Sequence, residues 1–124
     1  MYLLVDEIII PPQDEMIFLS HVAEFIRLYK NVAGVKDVRY FTTTNEALPA
    51  KSTKTSYGTG AEELIIKKHP KCSYLLMIVF ASQKDFQTYH DHSAQAKGIH
   101  DKIASYFSGK QLTIRAALHG EEIT

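Results

Sequence analysis

Two carboxyl groups, Asp6 and Glu7, stand side by side within an otherwise aliphatic run from Tyr2 to Ile10. On an extended segment neighbouring side chains point to opposite faces, so one of the pair is carried toward each side. A carboxylate in an apolar cavity can act as a base or orient a ligand. At a cavity mouth it can pair with Arg115 or Arg39 instead, and that ion pair is the favoured expectation. Further along, Tyr89, His92, Ala96, Ile99 and Ile103 fall on one stripe of an unbroken helix, with His100 at its edge and His90 outside it. His92 is then expected to face inward near Tyr89, where a phenol and an imidazole make a workable acid/base pair near neutral pH. The plainer account is a partly buried histidine bonded to tyrosine or backbone, since buried polar groups need partners in any case. Arg115 and Thr113 share the less apolar face of the last strand and suggest a polar spot able to hold a ligand.

Other residue types with chemical potential lack a supporting pattern. Of the six histidines, only His92 and His100 share a side of one predicted helix, about two turns apart and too far to chelate one ion. No HxxxH or HxxH spacing occurs, and Cys72 stands alone. Neither a metal nor a cofactor is therefore expected, and Cys72 reads as packing. The run from Lys51 to Gly60 is rich in Ser, Thr and Gly but lacks the GK[ST] end of a phosphate-binding loop.

The elements that position these residues are readable from periodicity. Tyr2 to Ile10 is a β-strand halted by Pro11-Pro12, which donate no backbone N–H. Those prolines suit a helix start, with Asp14 and Glu15 in the first turn. Phe18, Val22, Phe25, Ile26 and Tyr29 then form a helical stripe, and Gly34 is placed to end the helix. Val35 to Thr43 is a second strand with Val38 and Tyr40 on one face and Arg39 and Phe41 on the other. The polar stretch 44–71 is a long insertion for so small a domain, with a short helix predicted at about 61–68. Ser73 to Ala81 is a third strand, apolar on both faces. Ser82 with Asp85 reads as a capping box opening a second helix that runs to about Phe107 and is expected to break near His92-Ser93. Leu112 to Leu118 closes the series as a strand with Leu112, Ile114, Ala116 and Leu118 on one face.

This order predicts one α+β domain over residues 1–124, a ferredoxin-like β-α-β-β-α-β fold with an antiparallel four-stranded sheet and both helices on one side. A sheet covered on one side normally keeps a polar second face. Strands one and three are apolar on both, so something must cover the second face. A second copy packed sheet to sheet is the economical answer, giving a homodimer; the 44–71 segment folding back is the alternative.

The stretch from Phe80 through Phe107, FASQKDFQTYHDHSAQAKGIHDKIASYF, resembles the second half of the stress-responsive dimeric α/β-barrel (Dabb) family. Tyr89 and His92 match that family's Tyr and its His three residues on. Ser93 stands where Pro is common, and Gln95 where a further His is expected. The same stretch is similar, through His90 and Ser93, to the antibiotic-biosynthesis monooxygenase family of that superfamily. The resemblance implies a homodimer forming a dimeric α/β barrel, with a small cavity between helices and sheet suited to an apolar or aromatic ligand. If there is a reaction, it is a cofactor-independent oxygenase or cyclase-like one. Cyclase-type members use Tyr and the last His as an acid/base pair. Here only Tyr89 carries over, because Gln95 exchanges no proton near neutral pH, and Asp6 occupies the first-strand position where such members place another His. Tyr89 and His92 are thus the candidate catalytic residues, and Asp6, Gln95 and Arg115 the candidate ligand contacts.

Two other readings remain open. The strand–helix order with a long insertion also looks like nitrogen-regulatory signalling proteins, which would make the chain an interaction module contacting partners through residues 44–71. A structural dimer without a ligand is the third. Fourteen basic residues balance fourteen acidic ones, which argues against nucleic acid as a partner. The longest apolar run, Tyr74 to Ala81, is too short to span a bilayer. A single cysteine and a strand-like start without a basic leader make the cytoplasm the expected location.

Overall fold

The computed structural model describes residues 1–43 and 72–124. The helix expected at about 61–68, the Lys51 to Gly60 run and the role of the 44–71 insertion all fall outside the described residues. Chain order is β1 (Tyr2–Ile9), α1 (Glu15–Lys30), β2 (Val35–Thr42), β3 (Ser73–Phe80), α2 (Gln83–Asp91), α3 (Ser93–Ala104) and β4 (Thr113–Glu121). The strands form one antiparallel sheet in the order β2-β3-β1-β4. This is the ferredoxin-like arrangement, an open sheet with β2 and β4 at its edges.

Side-chain alternation gives the sheet an inner face, on which the helices pack. Tyr2, Leu4 and Ile8 of β1, Val38 of β2 and Tyr74, Leu76, Ile78 and Phe80 of β3 are all buried there. They meet Phe18, Phe25 and Tyr29 of α1, Phe86 and Tyr89 of α2, Ile103 of α3, and Phe107. The contacts are largely aromatic. The Phe18 ring lies 4.8 Å from Tyr74 and 5.4 Å from Tyr40, and Phe80 lies 5.6 Å from Phe86 and 5.7 Å from Tyr89. Such pairs add to the transfer free energy of their area.

The turns that set these elements have local causes. After Pro11, residues Pro12–Asp14 form a 3-10 turn leading into α1. Asp14 is buried and accepts hydrogen bonds from the Ser108 backbone N–H (3.0 Å) and hydroxyl (3.1 Å), tying the start of α1 to the chain beyond α3. Gly34, with φ +84°, turns the chain from α1 into β2, and its carbonyl accepts from the Ala81 N–H at 2.8 Å. Ser82 caps α2 by accepting from the Asp85 N–H at 3.2 Å. The Asp85 carboxylate accepts a hydrogen bond from the Ser82 hydroxyl at 2.9 Å, where the capping box predicted a bond to the cap N–H.

The second helix breaks where the sequence predicts, whereas β4 departs from the sequence reading. The break after Asp91 makes α2 and α3 separate helices, with His92 at the joint (φ −82°, ψ 69°). In β4 the register against β1 slips between Glu7 and Ile8, so Glu7 faces Ala116 while Ile8 faces Ile114. Arg115 is the extra residue of this β-bulge. The bulge therefore puts Ile114 on the inner face and Ala116 and Leu118 on the outer one, where a single apolar face was expected.

The outer face is apolar as well. Leu3 and Val5 of β1 line up with Val79 and Met77 of β3 and Gly120 and Leu118 of β4. With Met1 and the chain beyond β4 they line a shallow concavity of roughly 600 Å³. Leu118 is 74% exposed there.

Candidate functional site

The site begins with parity. Position 6 of β1 points inward with Leu4 and Ile8, which sends Asp6 into the core and Glu7 to the outer face, one carboxyl to each side as expected. Glu7 accepts from the Arg115 Nε at 2.6 Å, and a second guanidinium nitrogen reaches the same oxygen. The bulge at Arg115 gives the side chain that reach. Arg39 pairs with Asp37 at 2.8 Å. The anticipated ion pair of a first-strand carboxylate thus exists, but it belongs to Glu7. Arg115 and Asp6 are on opposite faces of the sheet.

Asp6 is 6% exposed and has no hydrogen-bond partner among the described residues. Across the sheet its row runs Tyr40, Leu76, Asp6, Ala117. Above the row stand Tyr29 of α1 and Tyr89 of α2, 1% and 6% exposed. Burial pushes the Asp6 carboxyl up from 3.8 to about 6. Burial, and then the charge of Asp6, pushes the Tyr89 phenol up to about 12. Tyr40 rises for the same two causes, with Tyr89 contributing. Tyr29 rises through burial first, then Tyr40, Tyr89 and Asp6. One carboxyl and three phenolic hydroxyls therefore sit within electrostatic reach of one another.

The other described tyrosines set off this cluster. Tyr2 bonds to His119 Nδ1 at 2.7 Å, Tyr74 donates to Glu15 at 2.6 Å, and Tyr106 donates to Glu24 at 2.7 Å. Tyr29, Tyr40 and Tyr89 form no hydrogen bond among the described residues, and they are the three that surround Asp6. Buried hydroxyls and carboxyls without partners are rare and costly in a folded core. Asp6, Tyr29 and Tyr89, with the half-buried Tyr40, make a polar cluster inside an aromatic wall.

The cluster lies one strand in from the thinly covered edge of the sheet. Every residue of β4 is exposed, on the inner face as well as the outer. The Asp6 row ends at Ala117 of this edge strand. At one end of this strip Phe86 stacks on His119 (4.7 Å) and on Tyr2 (4.9 Å). At the other, His100 lines a cleft of roughly 290 Å³ with Asp101, Lys110 and Thr113 among its walls. The His100 ring lies 6.4 Å from Tyr29, and burial lowers its pKa from 6.5.

Of the sequence-derived site residues, the fold brings Tyr89 and Asp6 together. His92 is exposed, which corrects the expectation that it faces Tyr89. The helix break is the reason: His92 serves as the joint, its N–H bonding Thr88 O at 3.0 Å and its carbonyl accepting from Gln95 N at 3.0 Å, so the unbroken-helix phasing fails there. Gln95 is exposed on the first turn of α3 and Arg115 lies on the outer face. Tyr29 and Tyr40 were read only as apolar-stripe and strand-face residues. The available signal was a tyrosine at core positions where phenylalanine packs equally well. Among the described residues no three His, Cys, Asp or Glu side chains group as metal ligands, and no helix is long and apolar enough to cross a membrane.

No protein-family model and no curated protein sequence matches the chain. Solved structures do. A protein from Bordetella bronchiseptica, provisionally assigned as an antibiotic-biosynthesis monooxygenase, superposes with a TM-score of 0.58 over 99% of this chain and 97% of its own at 12% identity. A protein of the ethyl tert-butyl ether D (EthD) family from Bacillus halodurans C-125 does so with a TM-score of 0.52 over 99% of this chain and 100% of its own at 18% identity. At these identities the likeness is one of fold, and it extends over the whole domain.

Proposed function

We propose that this chain binds a small apolar or aromatic molecule bearing at least one polar group, in the recess between helices and sheet formed by Asp6, Tyr29, Tyr40 and Tyr89. The observation that carries this reading is the convergence of three buried polar groups, Asp6, Tyr29 and Tyr89, and the half-buried Tyr40, none with a hydrogen-bond partner among the described residues. Aromatic walls with a few polar groups are the usual make-up of small-molecule sites. The uncovered inner face of β4 beside Ala117 is the way in. Likeness of fold to a provisionally assigned monooxygenase and to an EthD-family protein supports a cofactor-independent oxygenase or cyclase-like role for the same recess. In this reading Asp6 and Tyr89 form the acid/base pair, and His92 does not take part.

The same proposal includes a homodimer paired through the outer sheet face, as in a dimeric α/β barrel. Leu3, Val5, Met77, Val79 and Leu118 make that face apolar across three strands. An apolar strip of this kind marks an interaction surface more often than free solvent exposure.

Thermal-shift titration with phenolic and polyketide-like aromatic compounds tests the binding reading. A ligand at about ten times its Kd stabilises by about 1.4 kcal/mol, a few degrees in Tm for a domain of this size. Ala117→Phe, which fills the way in on an exposed strand, is expected to abolish the shift while leaving the fold intact. Binding indifferent to both Ala117→Phe and Tyr89→Phe would place the ligand elsewhere and defeat the reading.

A further inference from the structure

The proposed recess is asymmetric in its chemistry. It has one proton acceptor, Asp6, with phenolic O–H donors arriving from three different elements: Tyr29 from α1, Tyr40 from β2 and Tyr89 from α2. The remaining neighbours of Asp6 across the sheet, Leu76 and Ala117, are apolar. No cationic side chain is paired with it among the described residues, because Arg115 is committed to Glu7 on the other face. A charge that appears on a ligand oxygen here meets hydrogen-bond donors, and a proton released from the ligand meets a carboxylate.

Resting on the binding reading above, we infer that the ligand is an enolisable carbonyl compound, an aromatic or alicyclic ketone, and that Asp6 is the base that removes its α-proton while the tyrosyl hydroxyls hold the carbonyl oxygen. In the step, the C–H bond α to the carbonyl breaks and its proton goes to an Asp6 carboxylate oxygen. The electron pair left behind becomes the C=C bond of an enolate, and the carbonyl π pair moves to oxygen, which accepts hydrogen bonds from the tyrosines. No oxidant or reductant is consumed, and return of the proton restores the ketone. An aspartate base facing phenolic donors in an apolar site is a sufficient apparatus for this chemistry. The phenols, held well above neutral pH, stay protonated as donors. Asp6, raised to about 6, is a stronger base than an exposed aspartate and is still ionised near neutrality.

Hydrogen–deuterium exchange at the α-carbon reads this step directly. The full chain in D2O is given 2-tetralone, 2-indanone and phenylacetone, with exchange followed by proton NMR and binding measured separately by thermal shift. Exchange of at least one ketone well above the buffer rate is expected, rising with pH through about 6 as Asp6 ionises. The other titratable groups facing Asp6 are Tyr29, Tyr40 and Tyr89, all protonated throughout that range, with His100 of α3 behind Tyr29. Asp6→Asn keeps the shape and is expected to lower exchange by about a hundredfold or more while the ketone still binds. Tyr40→Phe and Tyr89→Phe are each expected to lower it by about tenfold. Ketones that bind without exchanging, or exchange that survives in Asp6→Asn, would overturn the inference and leave the binding reading standing. If no ketone binds but phenols without an α-proton do, the ligand class is wrong; if neither class binds, both readings fall.

Discussion

A buried carboxyl without a partner costs folding free energy, and Asp6 has none among the described residues. Its carboxyl titrates near 3.8 when unfolded and near 6 in the folded chain. Between these values the folded state binds the proton and the unfolded state does not, so stability falls as pH rises from about 4 to about 6. Above pH 6 both states are ionised and the full penalty applies, on the order of 3 kcal/mol for a shift of about two units. Asp6→Asn is therefore expected to be more stable than the parent at pH 8, by about 1–3 kcal/mol, and close to it at pH 4. Urea midpoints at the two pH values check this, and an equal difference at both would show that desolvation is not the cause. The tyrosines make a parallel case. Removing the orphan hydroxyl in Tyr40→Phe is expected to leave stability unchanged or slightly raised, whereas Tyr74→Phe loses a bond to Glu15 and is expected to cost about 1–2 kcal/mol. A residue that weakens the fold is what the stability–function trade-off predicts for the proposed site.

At the scale of elements, Gly34 is the position most sensitive to a single methyl group. Its φ of +84° lies in the left-handed region, and a Cβ added there would stand 2.3 Å from Asp85 Cγ. Gly34→Ala is expected to cost about 1–3 kcal/mol, from backbone strain and from displacement of the carboxylate that partners the Ser82 cap. Chemical denaturation measures it, and a cost below about 0.5 kcal/mol would mean that Asp85 moves aside freely. Gly34 was legible in the sequence, as were all four strands and α1, because alternation and helical spacing follow directly from which side chains must be buried. What could not be read depended on small departures from ideal geometry. A two-residue ambiguity about where the second helix breaks decided whether His92 faced Tyr89 or solvent. One bulged residue in β4 decided which face received Arg115 and Ala116. Tyr89 faces inward, and Asp6 and Glu7 point to opposite faces, as read, because each sits inside a regular element, where periodicity fixes direction. Tyr29 and Tyr40 had the right direction in the sequence, but their lack of hydrogen-bond partners among the described residues is a property of the packed core.

Across the whole molecule, the two faces of the sheet carry different tasks. The inner face holds the aromatic core and the polar cluster around Asp6; the outer face is apolar without being covered by α1, α2 or α3. Leu118 at 74% exposure and the half-buried Val5, Met77 and Val79 leave a concave apolar surface of the kind that a second sheet fills when two sheets pack about 10 Å apart. The proposed pairing predicts a particle of twice the 14.0 kDa chain mass by light scattering. Leu118→Asp places a charge at the centre of that surface without touching the inner face, since Leu118 pairs with Val5 on the outer side. It is expected to shift the particle to the monomer mass and to lower the Tm through loss of the interface, while leaving the recess formed. Ligand-induced thermal shifts in the monomeric variant then separate the two levels of organisation. Retained shifts mean that one chain builds the recess alone, as the position of Asp6, Tyr29, Tyr40 and Tyr89 within a single domain requires. A parent chain that runs as a monomer at every concentration would remove the second copy as the cover of the outer face.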